Sequence, residues 1–361
     1  MTASMRILVT GAFGNVGSHV MRHLVAQGHR VTALDVHSPH NDTREAELQR
    51  ELSFSTSWTN LTDLAAVSSL LADVKPDAIV HLAAIIAPIA YVIPDKAYAV
   101  NVTGVSNLIE ASGQLAQPPR FVLTSSYSVY GPRNPYRDNP PITGDTPVDP
   151  RDNYGAHKAW AERAVRASGL PWVIVRLPEV WSTDADFGAA PEFLKFSFML
   201  SPDRKVSAID ARDAALALAN AATKDVAGRA FVVSGGKGWS GTAGELTGRM
   251  YAARGLAPMP DSAFRMADPA VDDSWYYEGI VDPTESQAAL EYQQHTMEQY
   301  FDAIRPSGAT ALLMPIIRGF VRSKMLKSSP YYGTAQTPDS SEMWVRICET
   351  FGTDPSSRDL S

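Results

Sequence analysis

Apolar and polar positions alternate between two periods along the first half of the chain. Arg6-Ile7-Leu8-Val9-Thr10 is an apolar run of strand length. Ser18 to Gln27 then places Val20, Leu24 and Val25 on one side of a helix, with Gly28 as its stop signal. The exchange repeats. Arg30 to Leu34 predicts a strand ending in Asp35, Leu52 to Ser55 a strand, and Asp63 to Leu71 a helix. Asp77 to Ala84 predicts a strand, Tyr98 to Ala116 a helix, and Phe121 to Ser126 a strand with hydroxyls at its C-terminal end. A helix opening at Tyr154 precedes a last strand, Trp172 to Arg176. Apolar strands separated by helices predict an α/β protein built on a doubly wound parallel sheet.

Such a sheet, the Rossmann fold, binds ligands outside the carboxyl ends of its strands. The glycines between 11 and 17, Asp35, Ala83, Ser126 and Pro178 all fall there. Tyr130 to Asn153 is rich in proline, glycine and aspartate and predicts a long loop over that edge. From Leu177 onward the pattern turns irregular, notably over Ser182 to Glu192 and Ala257 to Tyr277. A helix over Ala208 to Ala222 and a strand over Arg229 to Ser234 are expected to rejoin the first lobe. The predicted organisation is a Rossmann domain over 1–176 and 208–234. A smaller, discontinuous substrate lobe takes 177–207 and 235–306, and an amphipathic helix and tail take 307–361. Within that last part Leu312, Leu313, Ile316, Ile317, Phe320 and Val321 form an apolar stripe beside Arg318, Arg322, Lys324 and Lys327. A basic amphipathic helix can lie on an acidic membrane surface, but the expectation is that it packs on its own domain or a partner subunit.

Composition narrows the classes. A chain of 361 residues, 45% hydrophobic, can bury a large core. A net charge of -7 argues against a nucleic-acid footprint. Cys348 is the single cysteine, so an intrachain disulfide and a cysteine-based metal cluster are excluded, consistent with a reducing cytoplasm. The apolar run at Met5 to Thr10 is not a secretion signal, and no stretch reaches the length of a membrane span, so a cytoplasmic protein is expected.

Two constellations carry chemistry. Gly11-Ala12-Phe13-Gly14-Asn15-Val16-Gly17 sits between a strand and a helix, where glycines let the backbone approach a pyrophosphate at the helix N-terminus. Asp35, at the end of the next strand, suits a ribose diol and repels a 2′-phosphate, favouring NAD over NADP. Arg44 lies further on as a competing phosphate receptor. The second constellation is Tyr154-Gly155-Ala156-His157-Lys158. A tyrosine and lysine four apart share a helix face. A nearby ammonium lowers a phenol from its ordinary pKa of about 10 toward the range useful for proton transfer.

Taken in order, the motifs resemble the extended short-chain dehydrogenase/reductase family, the NAD-dependent epimerase/dehydratase group. They are Thr10 to Gly17, Asp35, Asn60-Leu61-Thr62-Asp63, His81-Leu82-Ala83-Ala84, Asn101-Val102, Thr124-Ser125-Ser126-Tyr127-Ser128-Val129-Tyr130-Gly131, Tyr154 to Lys158, and a later echo at Ile209 to Asp213. The resemblance implies an oxidoreductase using NAD, with Tyr154 as acid/base, Lys158 steadying the phenolate and holding ribose hydroxyls, and Ser126 hydrogen-bonding the reacting oxygen. It implies cofactor contacts from Gly11, Phe13, Gly14, Asn15, Val16, Gly17, Asp35, Asn60, Leu61, Leu82, Ala83, Ala84, Thr124 and Pro178, support from Asn101, and no metal.

Departures bear on the substrate. Asn60 stands where many members carry Asp. Glu179 stands where nucleotide-sugar epimerases carry Asn, and a carboxylate beside a diphosphate is repulsive unless paired. Ile85-Ile86-Ala87-Pro88-Ile89 is apolar, and Trp181, Phe187, Phe193, Phe196 and Phe198 add aromatic bulk. The leading expectation is hydride transfer between NAD and a small or partly apolar alcohol or carbonyl. A nucleotide-sugar epimerase or dehydratase is the alternative, and a non-catalytic dinucleotide-binding regulator the reading from another class. A homodimer is allowed by the same resemblance.

Overall fold

The computed structural model describes residues 4–184 and 190–360. Phe187 therefore lies outside the described residues. Ten strands are present among the described residues: β1 Arg6–Thr10, β2 Arg30–Asp35, β3 Ser55–Trp58, β4 Ala78–His81, β5 Arg120–Ser126, β6 Trp172–Leu177, β7 Glu179–Trp181, β8 Lys205–Asp210, β9 Arg229–Val232 and β10 Ser240–Thr242. Seven of them form one sheet in the order β3-β2-β1-β4-β5-β6-β9, and every neighbouring pair is parallel. The order reverses between β1 and β4, and that switch point is where a doubly wound sheet opens its ligand crevice.

The core divides along the sheet's two faces. Ile7, Val9, Val80, Val122, Val173 and Val175 belong to one cluster with the helices Asn15–Ala26 and Ala211–Thr223. Leu8, Ile79, Phe121, Leu123 and Ile174 belong to the other, with Leu64–Val74, Gly104–Gly113 and Asn153–Ala167. The side chains alternate between faces because successive strand residues point to opposite sides.

A smaller sheet, β10-β8-β7, carries the second lobe. Pro178 is the single residue between β6 and β7. Its missing N–H ends one ladder, and the chain passes into the other sheet. Trp181, Val206, Trp239, Tyr300 and Phe301 fill the core beneath.

Several boundaries differ from expectation. The strand expected over Leu52 to Ser55 starts at Ser55, because this is an edge strand whose pairing with β2 begins at Thr32–Ser55, while Leu52 and Phe54 turn inward to the core. The helix expected from Tyr98 to Ala116 is interrupted by a π-helical turn, Ala99–Thr103. Ala208 to Asp210 is strand rather than helix, so the rejoining segment begins at Ala211, after Asp210 caps the helix by accepting from the Arg212 N–H. Residues 328–360, the expected tail, carry a further helix. The helix Met343–Phe351 buries Met343, Trp344 and Ile347 against Tyr91 and Tyr154, and the Thr353 hydroxyl donates to the Tyr91 carbonyl.

The helix Gly308–Lys327 leaves its apolar stripe open. Leu326 is its one buried residue, and Leu312, Leu313, Ile316, Ile317 and Phe320 are exposed. The stripe is not packed on its own domain.

Candidate active site

The glycine turn is built for close approach. Gly11 has φ +68°, and a Cβ there would stand 2.8 Å from the Ala83 nitrogen, so β1 and β4 come together over it. A Cβ on Gly17 would stand 2.1 Å from the Gly11 carbonyl oxygen. The helix Asn15–Ala26 begins at Gly14 with no side-chain cap and no acidic residue in its first turn. Its N-terminal N–H groups and positive dipole end are thus available to an anion. Asn15 Nδ2 is buried there without a partner, while its Oδ1 accepts from the Ser182 hydroxyl at 2.6 Å. Phe13 turns its ring into the core against Trp58. Only its backbone faces the turn, where its N–H donates to the Asp35 carboxylate at 3.1 Å.

Asp35 ends β2, and burial raises its carboxyl above the ordinary value against hydrogen bonds from the Val36 and Phe13 N–H groups. Arg44, the competing phosphate receptor, is ion-paired with Asp184 and with Glu47. Asn60 is exposed and accepts from the Thr62 N–H at 3.1 Å, whereas Leu61 is buried and its carbonyl accepts from Asn107. Leu82, Ala83 and Ala84 follow β4, half-buried. Val16 is likewise half-buried, against the core.

Asn101 occupies the π-helical turn, and its Nδ2 lies 3.4 Å from His157 Nδ1. Its Oδ1 accepts from the Ile85 N–H at 2.8 Å, and its Nδ2 donates to the Ile85 carbonyl at 2.9 Å. It clamps the segment after β4.

Ser126 and Tyr154 meet at the carboxyl edge of β5. Ser126 caps the turn Tyr127–Tyr130 by accepting from the Ser128 N–H at 3.2 Å. Tyr154 is the second residue of the helix Asn153–Ala167 and packs with Ala90, Tyr91, Phe196, Tyr276 and Tyr277. Burial pushes its phenol well above the ordinary value, the Ser126 hydroxyl pulls it part of the way back, and the Asp152 carboxylate pushes it up again. Lys158 lies one turn on. Its Nζ is 5.9 Å from the Tyr154 ring centre and donates to the Thr124 carbonyl at 2.8 Å. Burial dominates the phenol, and it also lowers Lys158 itself to about 8, against the Glu162 carboxylate. Thr124 Oγ1 beside it is buried without a partner.

Three supporting residues escape sequence reasoning. Asp152 caps the helix Asn153–Ala167, accepting from the Gly155 N–H at 2.6 Å and from the Tyr91 hydroxyl. Burial raises it to about 6. Glu162 lies buried four residues beyond Lys158 and accepts from Ser125 at 2.7 Å and from Arg176 at 2.8 and 2.7 Å. Arg176 also donates to the Tyr130 hydroxyl and the Gly144 carbonyl, each at 2.8 Å. A charged residue on the buried face of a helix was the available signal for Glu162; Asp152 needed the fold.

Glu179 is paired. Arg204 donates to it at 3.0 Å and also to Glu278, so two carboxylates share one guanidinium. Burial, with Glu179 adding to it, raises Glu278 to about 7 while Arg204 holds it down. Pro178 is buried beside them. Of the aromatic residues, Phe196 joins the Tyr154 cluster, whereas Trp181 and Phe198 belong to other cores.

The model of the NAD dependent epimerase/dehydratase family matches residues 7–192. Among curated proteins, the UDP-glucose 4-epimerase of Lactobacillus helveticus is 32% identical over 191 residues, 50% of this chain and 54% of that protein. The D-erythronate dehydrogenase of Cupriavidus necator is 29% identical over 193 residues, 49% of this chain and 55% of that protein. The chain spans about half the length of the curated relatives it matches. Among solved structures, the Bordetella bronchiseptica enzyme WbmG in complex with NAD and UDP aligns with a TM-score of 0.64 at 22% identity, covering 84% of this chain and 93% of that one. It supports the fold.

Proposed function

Because the chain belongs to the NAD dependent epimerase/dehydratase family, we propose that it is an NAD-dependent oxidoreductase acting on a small alcohol or carbonyl compound. The observation that carries this reading is the buried set of Ser126, Tyr154 and Lys158 at the carboxyl edge of the sheet. The residues present fit the cofactor. The uncapped helix at Gly14 and the glycine cradle suit a pyrophosphate, Asp35 a ribose diol, and Asn60 and Leu61 the adenine. We assign Leu82, Ala83, Ala84 and Thr124 to the lining of the cofactor, Lys158 to its nicotinamide ribose and Pro178 to its nicotinamide end, and the unpartnered Thr124 hydroxyl is a group a cofactor would use. When bound, NAD supplies the hydride acceptor.

The chain's own residues handle the proton. Ser126 and Tyr154 bracket one oxygen position. As the phenolate, Tyr154 takes the proton of an alcohol as the carbon is oxidised, and as the phenol it returns the proton in the reverse direction. Lys158 orients ribose hydroxyls and carries the local positive charge. Tyr276, Tyr277 and Phe196 keep water from the phenol.

The substrate reading rests on Glu179 and Glu278. With one guanidinium between two carboxylates, this corner is unfavourable for a diphosphate and suited to hydroxyl donors. Nucleotide-sugar epimerisation is the second reading, favoured by the similarity to the UDP-glucose 4-epimerase. A thermal-shift screen with NAD present separates them. No stabilisation by UDP-glucose or dTDP-glucose is expected, since a ligand at 100 times its dissociation constant adds about 2.7 kcal/mol and would be seen. A clear shift with either sugar transfers the proposal to the epimerase reading.

A further inference from the structure

The helix Gly308–Lys327 presents an apolar face that nothing in its own fold covers. Leu312 is 78% exposed, Ile316 79% and Phe320 74%, and Leu313 and Ile317 stand beside them. With about 3.6 residues per turn, Leu313, Ile317 and Phe320 form one row that Lys324 and Lys327 continue. Both lysines are exposed. The opposite side faces the protein: Arg322 donates to the Pro258 carbonyl at 3.2 and 3.1 Å, and Met314, Pro315 and Arg318 line a groove of about 600 Å³ against Arg249 and Phe301. The apolar row is thus directed away from the body of the molecule, not awaiting closure onto it.

Charge selects the occupant. The helix contains Arg318, Arg322, Lys324 and Lys327 and no acidic residue, in a chain of net charge -7. A second copy fits poorly. Paired antiparallel, the lysines of one helix would meet the N-terminal turn of the other, which has no acidic residue and carries the positive end of its dipole. Paired parallel, lysine would face lysine. An anionic lipid surface complements both features, since apolar side chains enter the acyl boundary while lysines extend to the headgroups. Spanning is not an option: among the described residues no helix is long and apolar enough to cross a membrane.

We propose that the helix Gly308–Lys327 is a membrane-surface docking element that lies flat on an anionic phospholipid bilayer through Leu312, Leu313, Ile316, Ile317 and Phe320. It holds the enzyme at the surface with the catalytic crevice on a separate part of the molecule.

The test is co-sedimentation of the full chain with vesicles of phosphatidylcholine alone and of phosphatidylcholine mixed with phosphatidylserine. Binding to the mixed vesicles is expected, weakening as salt is raised. Ile316→Gln with Phe320→Gln abolishes it, and Lys324→Glu with Lys327→Glu weakens it by more than about thirtyfold. All four side chains are exposed, so the melting temperature should not move, and turnover in solution should be unchanged. Failure to bind mixed vesicles, or equal binding to both kinds, overturns the proposal. So does a solution mass that falls from dimer to monomer with Ile316→Gln and Phe320→Gln, which would give the stripe to a second copy.

Discussion

Tyr154 is held protonated more firmly than its sequence neighbours suggest. The spacing Tyr154–Lys158 was legible, and so was Ser126 at the end of its strand. What could not be read is that burial outweighs the lysine, whose Nζ is occupied by the Thr124 carbonyl. A proton-transfer residue buried in this way depends on the local charge. Tyr154→Phe keeps the ring and removes the proton, so turnover on an identified substrate should fall by about 10²–10⁴-fold with cofactor affinity retained. Steady-state kinetics with a cofactor titration checks this; near-normal turnover would move the acid/base elsewhere. Asp152 is the group that raises the phenol from nearby. Asp152→Asn should therefore shift the rising, acid-side limb of the pH–rate profile for alcohol oxidation, where Tyr154 must lose its proton, to lower pH, and an unmoved limb would remove Asp152 from the titration.

At the scale of elements, the same aspartate caps the helix that carries Tyr154, and its cost depends on pH. Its folded pKa of about 6 lies above the ordinary 3.8, so the folded state binds more protons between those values and stability falls as pH rises through them. Asparagine can accept from the Gly155 N–H and donate to the Tyr91 hydroxyl, which can turn its own proton toward Tyr276, 3.2 Å away. Asp152→Asn should gain stability relative to the parent between pH 4 and pH 7, measured by denaturant unfolding; a constant difference would contradict the buried charge. Glu162 and Arg176 tie this helix to β5 and β6. Arg176→Met leaves Glu162 buried with its main partner gone and should cost about 3–5 kcal/mol, partly recovered by adding Glu162→Gln. Sequence periodicity showed the helix and both strands, because those depend on local spacing. It missed the π-helical turn at Ala99–Thr103, whose Asn101 amide is fixed by Ile85, sixteen residues away.

Across the whole molecule, the parallel sheet was legible because buried strands repeat an apolar run. The closure of the site was not. Phe196, Tyr276 and Trp344 reach the Tyr154 cluster from separate segments, and no periodic signal joins them. The cofactor crevice shows how distant parts decide one property. Asp35 comes from β2 and accepts from Phe13 in the glycine turn, while Arg44, the residue that could have received a 2′-phosphate, is neutralised by Asp184 beyond β7. A carboxylate at the ribose and an occupied arginine both disfavour an added phosphate. NAD should bind more tightly than NADP. Asp35→Ala should narrow the gap by removing the repulsion, and Asp184→Ala should narrow it by freeing Arg44. The two substitutions act on different charges, so their effects on the NAD-to-NADP ratio should be close to additive. Trp58, whose ring centre lies 5.3 Å from that of Phe13, gives a fluorescence signal near the adenosine end for both titrations. Tighter binding of NADP by the unmodified protein would show that neither charge governs the choice.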